Sequence, residues 1–241
     1  MYRRSATSAQ CGSALVESAV ALGIVLFAGL AALEFAHWQL MRHLAQVALT
    51  EAARAGAAGH LRPGLMAQAF EAGMAPRYAA PDGGSRQRLR AAWKRTQARS
   101  GLPAWRLWVL QPDRAAYADF GQRGLLLPED AREQRAIRND YQAEQHAGYT
   151  ARWPQGRGPR SGLTIFEANS LRLRLVYVVE PLVPALRPLL RTLAAGAADA
   201  CARRILAAGA LPLRLEMTMD MQSHALTWPA DQGVSPAERT C

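Results

Sequence analysis

The chain has 241 residues, with 29 Lys+Arg against 19 Asp+Glu, a formal charge of +10 and a pI near 10.5. With half its residues apolar and a fifth charged, it is not a disordered chain, and three cysteines in 26.2 kDa exclude a disulfide-stapled miniprotein. Lys94 is the only lysine, so the basic balance is an arginine bias in an Ala-rich chain. No nucleic-acid-binding signature accompanies it, and nucleic acid is not an expected partner.

The opening is polar and basic, with Arg3 and Arg4. A long apolar stretch follows from Ser13 to Leu33, interrupted by a single charge, Glu17. About 20 residues of helix suffice to cross a hydrocarbon layer of roughly 30 Å. The helical pattern then continues through Phe35, Trp38, Met41, Leu44 or Ala45, Ala48 and Ala52, while His37, Gln39, Arg42, His43, Gln46 and Thr50 supply a wetter side. No proline interrupts residues 13–62, so one helix from Ser13 to about Ala57 is expected. Its first half is greasy all round and its second half two-faced. Gly59 to Gly64 reads as the stop and turn.

Three readings of this segment compete. It could be a secretory signal peptide cut at Gly29-Leu30-Ala31, a plain single-pass anchor, or an anchor whose front end is removed after Gly12. Glu17 bears on the choice. An ionisable group inside a membrane span costs ~2.5–3.5 kcal/mol on insertion scales, and no Lys or Arg lies within one helical turn of it in the sequence. Cleavage after Gly12 would make Ser13 the N-terminus and bring its α-ammonium within one turn of Glu17, on the same or a neighbouring subunit. Alternatively, Glu17 sits at the headgroup level and snorkels. Arg3 and Arg4 place the N-terminus on the cytoplasmic side and the bulk of the chain in the periplasm.

Gly12-Ser13-Ala14-Leu15-Val16-Glu17 before an apolar helix resembles the cleavage motif of type IV pilin-like proteins, in which Glu is the fifth residue of the mature chain. More closely, the segment resembles TadE-like proteins, minor pseudopilins of the Tad (Flp) pilus system. Gly12, Ala14, Val16 and Glu17 match their first element, Glu34-Phe35 the second, and Ala52-Ala53-Arg54-Ala55-Gly56-Ala57 the third. Ser18 stands where Phe is usual, Gly23 where Pro is common, and Ala36-His37 where Gly-Arg is typical. The match covers residues 11–57, with only a final strand ending Met221-Gln222-Ser223 beyond it.

The resemblance implies an inner-membrane pseudopilin cut by a prepilin peptidase between Gly12 and Ser13. Its implied partners are other pseudopilins, the major pilin and the inner-membrane assembly platform. Residues 1–12 are then a leader, 13–57 the transmembrane and amphipathic helix, and 58–241 a periplasmic head. In the processed chain Cys201 and Cys241 would be the remaining thiols in an oxidising compartment. They could pair, or Cys201 could be core. Ala28, Ala32 and Ala36, like Ala48, Ala52 and Gly56, recur every fourth residue and would let a partner helix approach closely.

Beyond the turn, Pro63–Ala75 reads as a short helix with Leu65, Met66, Ala69 and Phe70 inward. Ser85–Ser100 reads as a second, with Ser85 as N-cap, Trp93 among the charges, and Arg86, Arg88, Arg90, Lys94, Arg95 and Arg99 on a solvated face. Pro128–Gln145 is expected to hold a helix, with Glu129 and Asp130 in its first turn, and His146–Gly162 a mobile loop.

Trp105–Gln111, Leu171–Val179 and Leu211–Met221 read as strands. If the last two pair antiparallel, Arg172 and Arg174 can lie near Asp220 and Glu216. Pro181–Gly209 suits a surface helix pair on the sheet, since its arginines argue against a second span. The tail after Ser223 is expected to be irregular.

The expected fold is α+β: a long N-terminal transmembrane helix, then a head with a small antiparallel sheet and packed helices. The five histidines (His37, His43, His60, His146, His224) show no metal spacing, and no nucleophile elbow, phosphate loop or dinucleotide fingerprint occurs. Neither metal, cofactor nor enzymatic activity is expected. The rival functions are an unprocessed membrane-anchored binding or scaffold protein unrelated to pili and, third, a secreted hydrolase.

Overall fold

A computed structural model describes residues 13–79, 81 and 83–236, with side chains from residue 16 to 235. In chain order the elements are α1 (Ser13–Ala58), α2 (Pro63–Met74), α3 (Ser85–Ser100), β1 (Trp105–Gln111), α4 (Arg114–Phe120), β2 (Gly121–Gln122), β3 (Ala136–Ile137), α5 (Gln142–Arg152), α6 (Ile165–Ala168), β4 (Ser170–Val179), α7 (Leu186–Leu193), α8 (Ala200–Ala207), β5 (Leu211–Asp220), β6 (Ala225–Leu226) and β7 (Val234–Pro236). Among the described residues these form an α+β head with a four-stranded sheet in the order β5-β4-β1-β7 and a three-stranded one in the order β2-β3-β6.

α1 is continuous over 46 residues, roughly 70 Å at 1.5 Å per residue. Its second half belongs to the head. Met41, Ala45, Ala48, Leu49, Ala52, Ala53 and Ala57 recur at three- and four-residue spacing, and all are buried. They lie against α2 and the inner face of β4, where Leu171, Leu173, Leu175, Tyr177 and Val179 alternate inward. The small side chains serve this packing. A Cβ on Gly73 of α2 would lie 2.5 Å from the Cα of Ala48, so the two helices cross almost backbone to backbone. The stripe Ala48, Ala52 and Gly56 is therefore occupied by the chain's own α2 and sheet.

β4 and β5 pair antiparallel in register from Ser170↔Asp220 to Val179↔Leu211. Both Arg172 and Arg174 converge on Glu216, at 2.6 and 2.7 Å. Asp220 faces Ser170 instead, because the register sets it two pairs beyond Arg172. The outer face of the sheet is covered at one end by α8, with Cys201 and Ile205 packed on Trp108, Val176 and Val178.

The turn after α1 holds His60 and Leu61 at φ of 57° and 60°, a region that non-glycine residues seldom occupy. Tertiary bonds hold it. Ser223 Oγ accepts from His60 N–H at 2.9 Å, and Trp228 Nε1–H donates to the His60 carbonyl at 2.7 Å.

Several local expectations are corrected. Ser85 is the first helical residue of α3, with Gly84 at the N-cap and no side-chain cap there. Trp93 is buried rather than on the solvated face: it stacks on Phe70, lies tilted against Trp105, and donates its Nε1–H to Tyr177 Oη at 3.0 Å. Leu65 is exposed, while Met66 and Phe70 are buried. Glu129 and Asp130 open only a single helical turn, because Ala131 and Ala136 join a small cluster with Leu127 and Leu226 and the chain enters the minor sheet. The expected loop at 146–162 is ordered by α5 and by Asp119, whose carboxylate accepts from the backbone N–H groups of Arg160 and Ser161. The tail forms β6 and β7, the latter parallel to β1.

Candidate anchoring helix and its junction with the head

From Val16 to Leu33 every residue of α1 is exposed. Those 18 positions rise about 27 Å. Its most apolar 18-residue window is only 6 % buried among the described residues. Val20, Ile24, Phe27, Leu30 and Leu33 are among the large apolar side chains left bare. Removing the exposed apolar side chains of this half from water is worth on the order of 10 kcal/mol. By length and composition the helix suffices to cross a bilayer.

Gly12 lies outside the described residues. Ser13 is the first residue of α1, and Glu17 stands one turn later on its exposed surface. Ala28, Ala32 and Ala36 line one exposed face of the same helix. Cys201 is buried and disulfide-bonded, and Cys241, its partner in the sequence expectation, lies outside the described residues. Among the described residues no three His, Cys, Asp or Glu side chains gather as a metal site would require.

The junction between the two halves of α1 was only partly legible. Glu34 follows the apolar stretch directly, yet it is 7 % exposed. Its Oε2 accepts from the backbone N–H of Val183 at 3.0 Å and ties the segment after β4 to the helix. Its Oε1 has no hydrogen-bond partner among the described residues. The sequence marked Glu34 as part of a motif but gave no sign of this partner 149 residues away.

One turn further on, His37 borders a cleft of about 200 Å³ shared with Arg77, Trp93, Arg99, Tyr177 and Glu180. Burial, reinforced by Arg77, holds the His37 imidazole below its ordinary pKa. Arg99 pairs with Glu180 at 2.5 Å. At the opposite end of the helix, Gln222 N–H donates to the Ala57 carbonyl at 3.0 Å. β4 therefore runs antiparallel to α1, and its C-terminal end points toward the apolar half.

The site that emerges is a bare apolar helix continuous with the core of an α+β head. No protein-family model matches the chain, and no curated protein or solved structure matches it.

Proposed function

We propose that this chain is a TadE-like minor pseudopilin, anchored in the bacterial inner membrane by residues 13–33 and acting in Tad pilus biogenesis. The observation that carries the reading is the exposed apolar half of α1 with Glu17 one turn after Ser13. The order of the three sequence elements in residues 11–57 supports it.

In this reading a prepilin peptidase cuts after Gly12, where a side chain would obstruct its grip on the backbone. The new α-ammonium of Ser13 offsets the charge of Glu17 in the membrane, and subunits associate through their apolar helices. The head lies in the periplasm and presents the surfaces that meet other pseudopilins, the major pilin and the assembly platform. The function is assembly rather than catalysis.

Two variants test this in the cell of origin. Gly12→Trp is expected to leave the chain at full length, and Glu17→Val to allow cleavage while piliation is lost. Wild-type piliation in both would remove the pilus function and leave an unprocessed single-pass scaffold.

A further inference from the structure

We propose that α7 and the turn before it form a second contact with the phospholipid surface, a foot that seats the head on the membrane beside α1. The proposal rests on the anchor reading above.

Its starting point is an uncovered apolar face. Leu186, Leu189, Leu190 and Leu193 share one side of α7, at the spacing of a helical stripe. Only Leu190 is buried; Leu189 and Leu193 are 52 % and 55 % exposed, and Leu182 in the preceding turn is 50 % exposed. An amphipathic helix on a water-facing surface would turn this whole stripe inward. Here Leu190 is turned in and Leu186 half-buried, but Leu189 and Leu193 stay outside while Arg187 is drawn back to Glu180 at 3.4 Å.

Position identifies the occupant. The Val183 N–H bond to Glu34 fixes this turn one residue beyond Leu33, where the bare apolar half of α1 ends. A Cβ on Gly209 would meet Arg187 Cβ at 3.1 Å and Arg191 Nε at 3.4 Å, so α7 lies across the end of the sheet where Val179 pairs with Leu211. That is the end facing the apolar half of α1. A bilayer that encloses residues 16–33 has its headgroup layer at the level of Leu182 and α7.

The chemistry agrees. Exposed leucines can enter the boundary between headgroups and acyl chains, and α7 carries the exposed Arg191 and no acidic residue, as an anionic phosphate layer favours. Phe35 and Trp38 of α1, with ring centroids 6.4 Å apart, stand at the same level, where aromatic side chains suit a membrane interface.

The test places a benzophenone side chain at Phe27, Leu189, Leu193 or Leu126 of the full chain, irradiates native membranes, and identifies adducts by mass spectrometry. Leu126 is exposed and lies by the minor sheet, toward the far end of α1. Lipid adducts at 189 and 193 in yields comparable to those at 27, and lost at 126, are expected. Lipid adducts at 27 alone, or protein adducts at 189 and 193 in place of lipid, overturn the foot and leave the anchor standing. Absence of lipid adducts at 27 as well overturns both.

Discussion

At His224 one proton decides a tertiary hydrogen bond. Its Nδ1 accepts from the Asn139 backbone N–H at 3.1 Å, which requires that nitrogen to be unprotonated. Burial lowers the His224 pKa, with His60 and Arg138 adding to the effect and Asp140 opposing it. His37 is lowered too, by burial and by Arg77. In both cases the unfolded chain, near the ordinary 6.5, binds protons before the folded one does. Their contribution to stability is thus complete above about 6.5 and declines as the pH falls from there toward the folded pKa. Thermal melts between pH 7.5 and 5.5 should show Tm falling with acid. His224→Gln, which keeps an acceptor for Asn139, should flatten part of that slope and leave the share due to His37. An unaltered slope in this variant would rule out the His224 contribution. Glu34 offers a second test at the same scale. In Glu34→Ala the Val183 amide loses its acceptor, so its hydrogen exchange should speed up while that of amides within β4 stays unchanged. Equal exchange in both proteins would show that the bond does not hold the turn.

Among the elements, α1 carries two jobs on one rigid rod, and its residues divide accordingly. Large apolar side chains cover the first half, where packing within the chain imposes no size limit. In the second half Ala48, Ala52 and Gly56 face inward beside Met41 and Leu49, and at Ala48 α2 comes too close for anything larger. Gly73→Val should cost about 1–3 kcal/mol by overpacking against Ala48, read as a lower denaturant midpoint. Adding Ala48→Gly should recover part of that loss. Additive losses would mean that the crossing is not the tight point.

The sequence revealed these elements unevenly, for physical reasons. α1, β1, β4 and β5 are long enough for their hydrophobic period to declare them, and their observed bounds lie within a residue or two of those expected. β7 is three residues held by parallel pairing to β1 across more than a hundred residues of chain, so nothing local marks it. The region after Pro128 has helix-favouring acids, but burial of Ala131 and Ala136 drew it into the minor sheet. Glu34, which the sequence places in a motif, also clamps the turn at Val183. Its partner is a backbone N–H, which leaves no trace in side-chain spacing.

For the whole molecule, α1 links the events proposed on the two sides of the membrane. Because the helix runs unbroken into the core, its tilt in a bilayer fixes the orientation of the head, and the leucines of α7 would limit that tilt from the other side. A subunit so held at two points would present a defined surface to its neighbours, as the proposed role in pilus assembly requires. In the proposed function the processing step governs the rest, since it would create the amine that Glu17 is proposed to meet. The most direct measurement is the intact mass of the chain extracted from native membranes. A species beginning at Ser13, with residues 1–12 gone, is the predicted result. A chain that retains Met1, or one that begins near Ala32, contradicts the account.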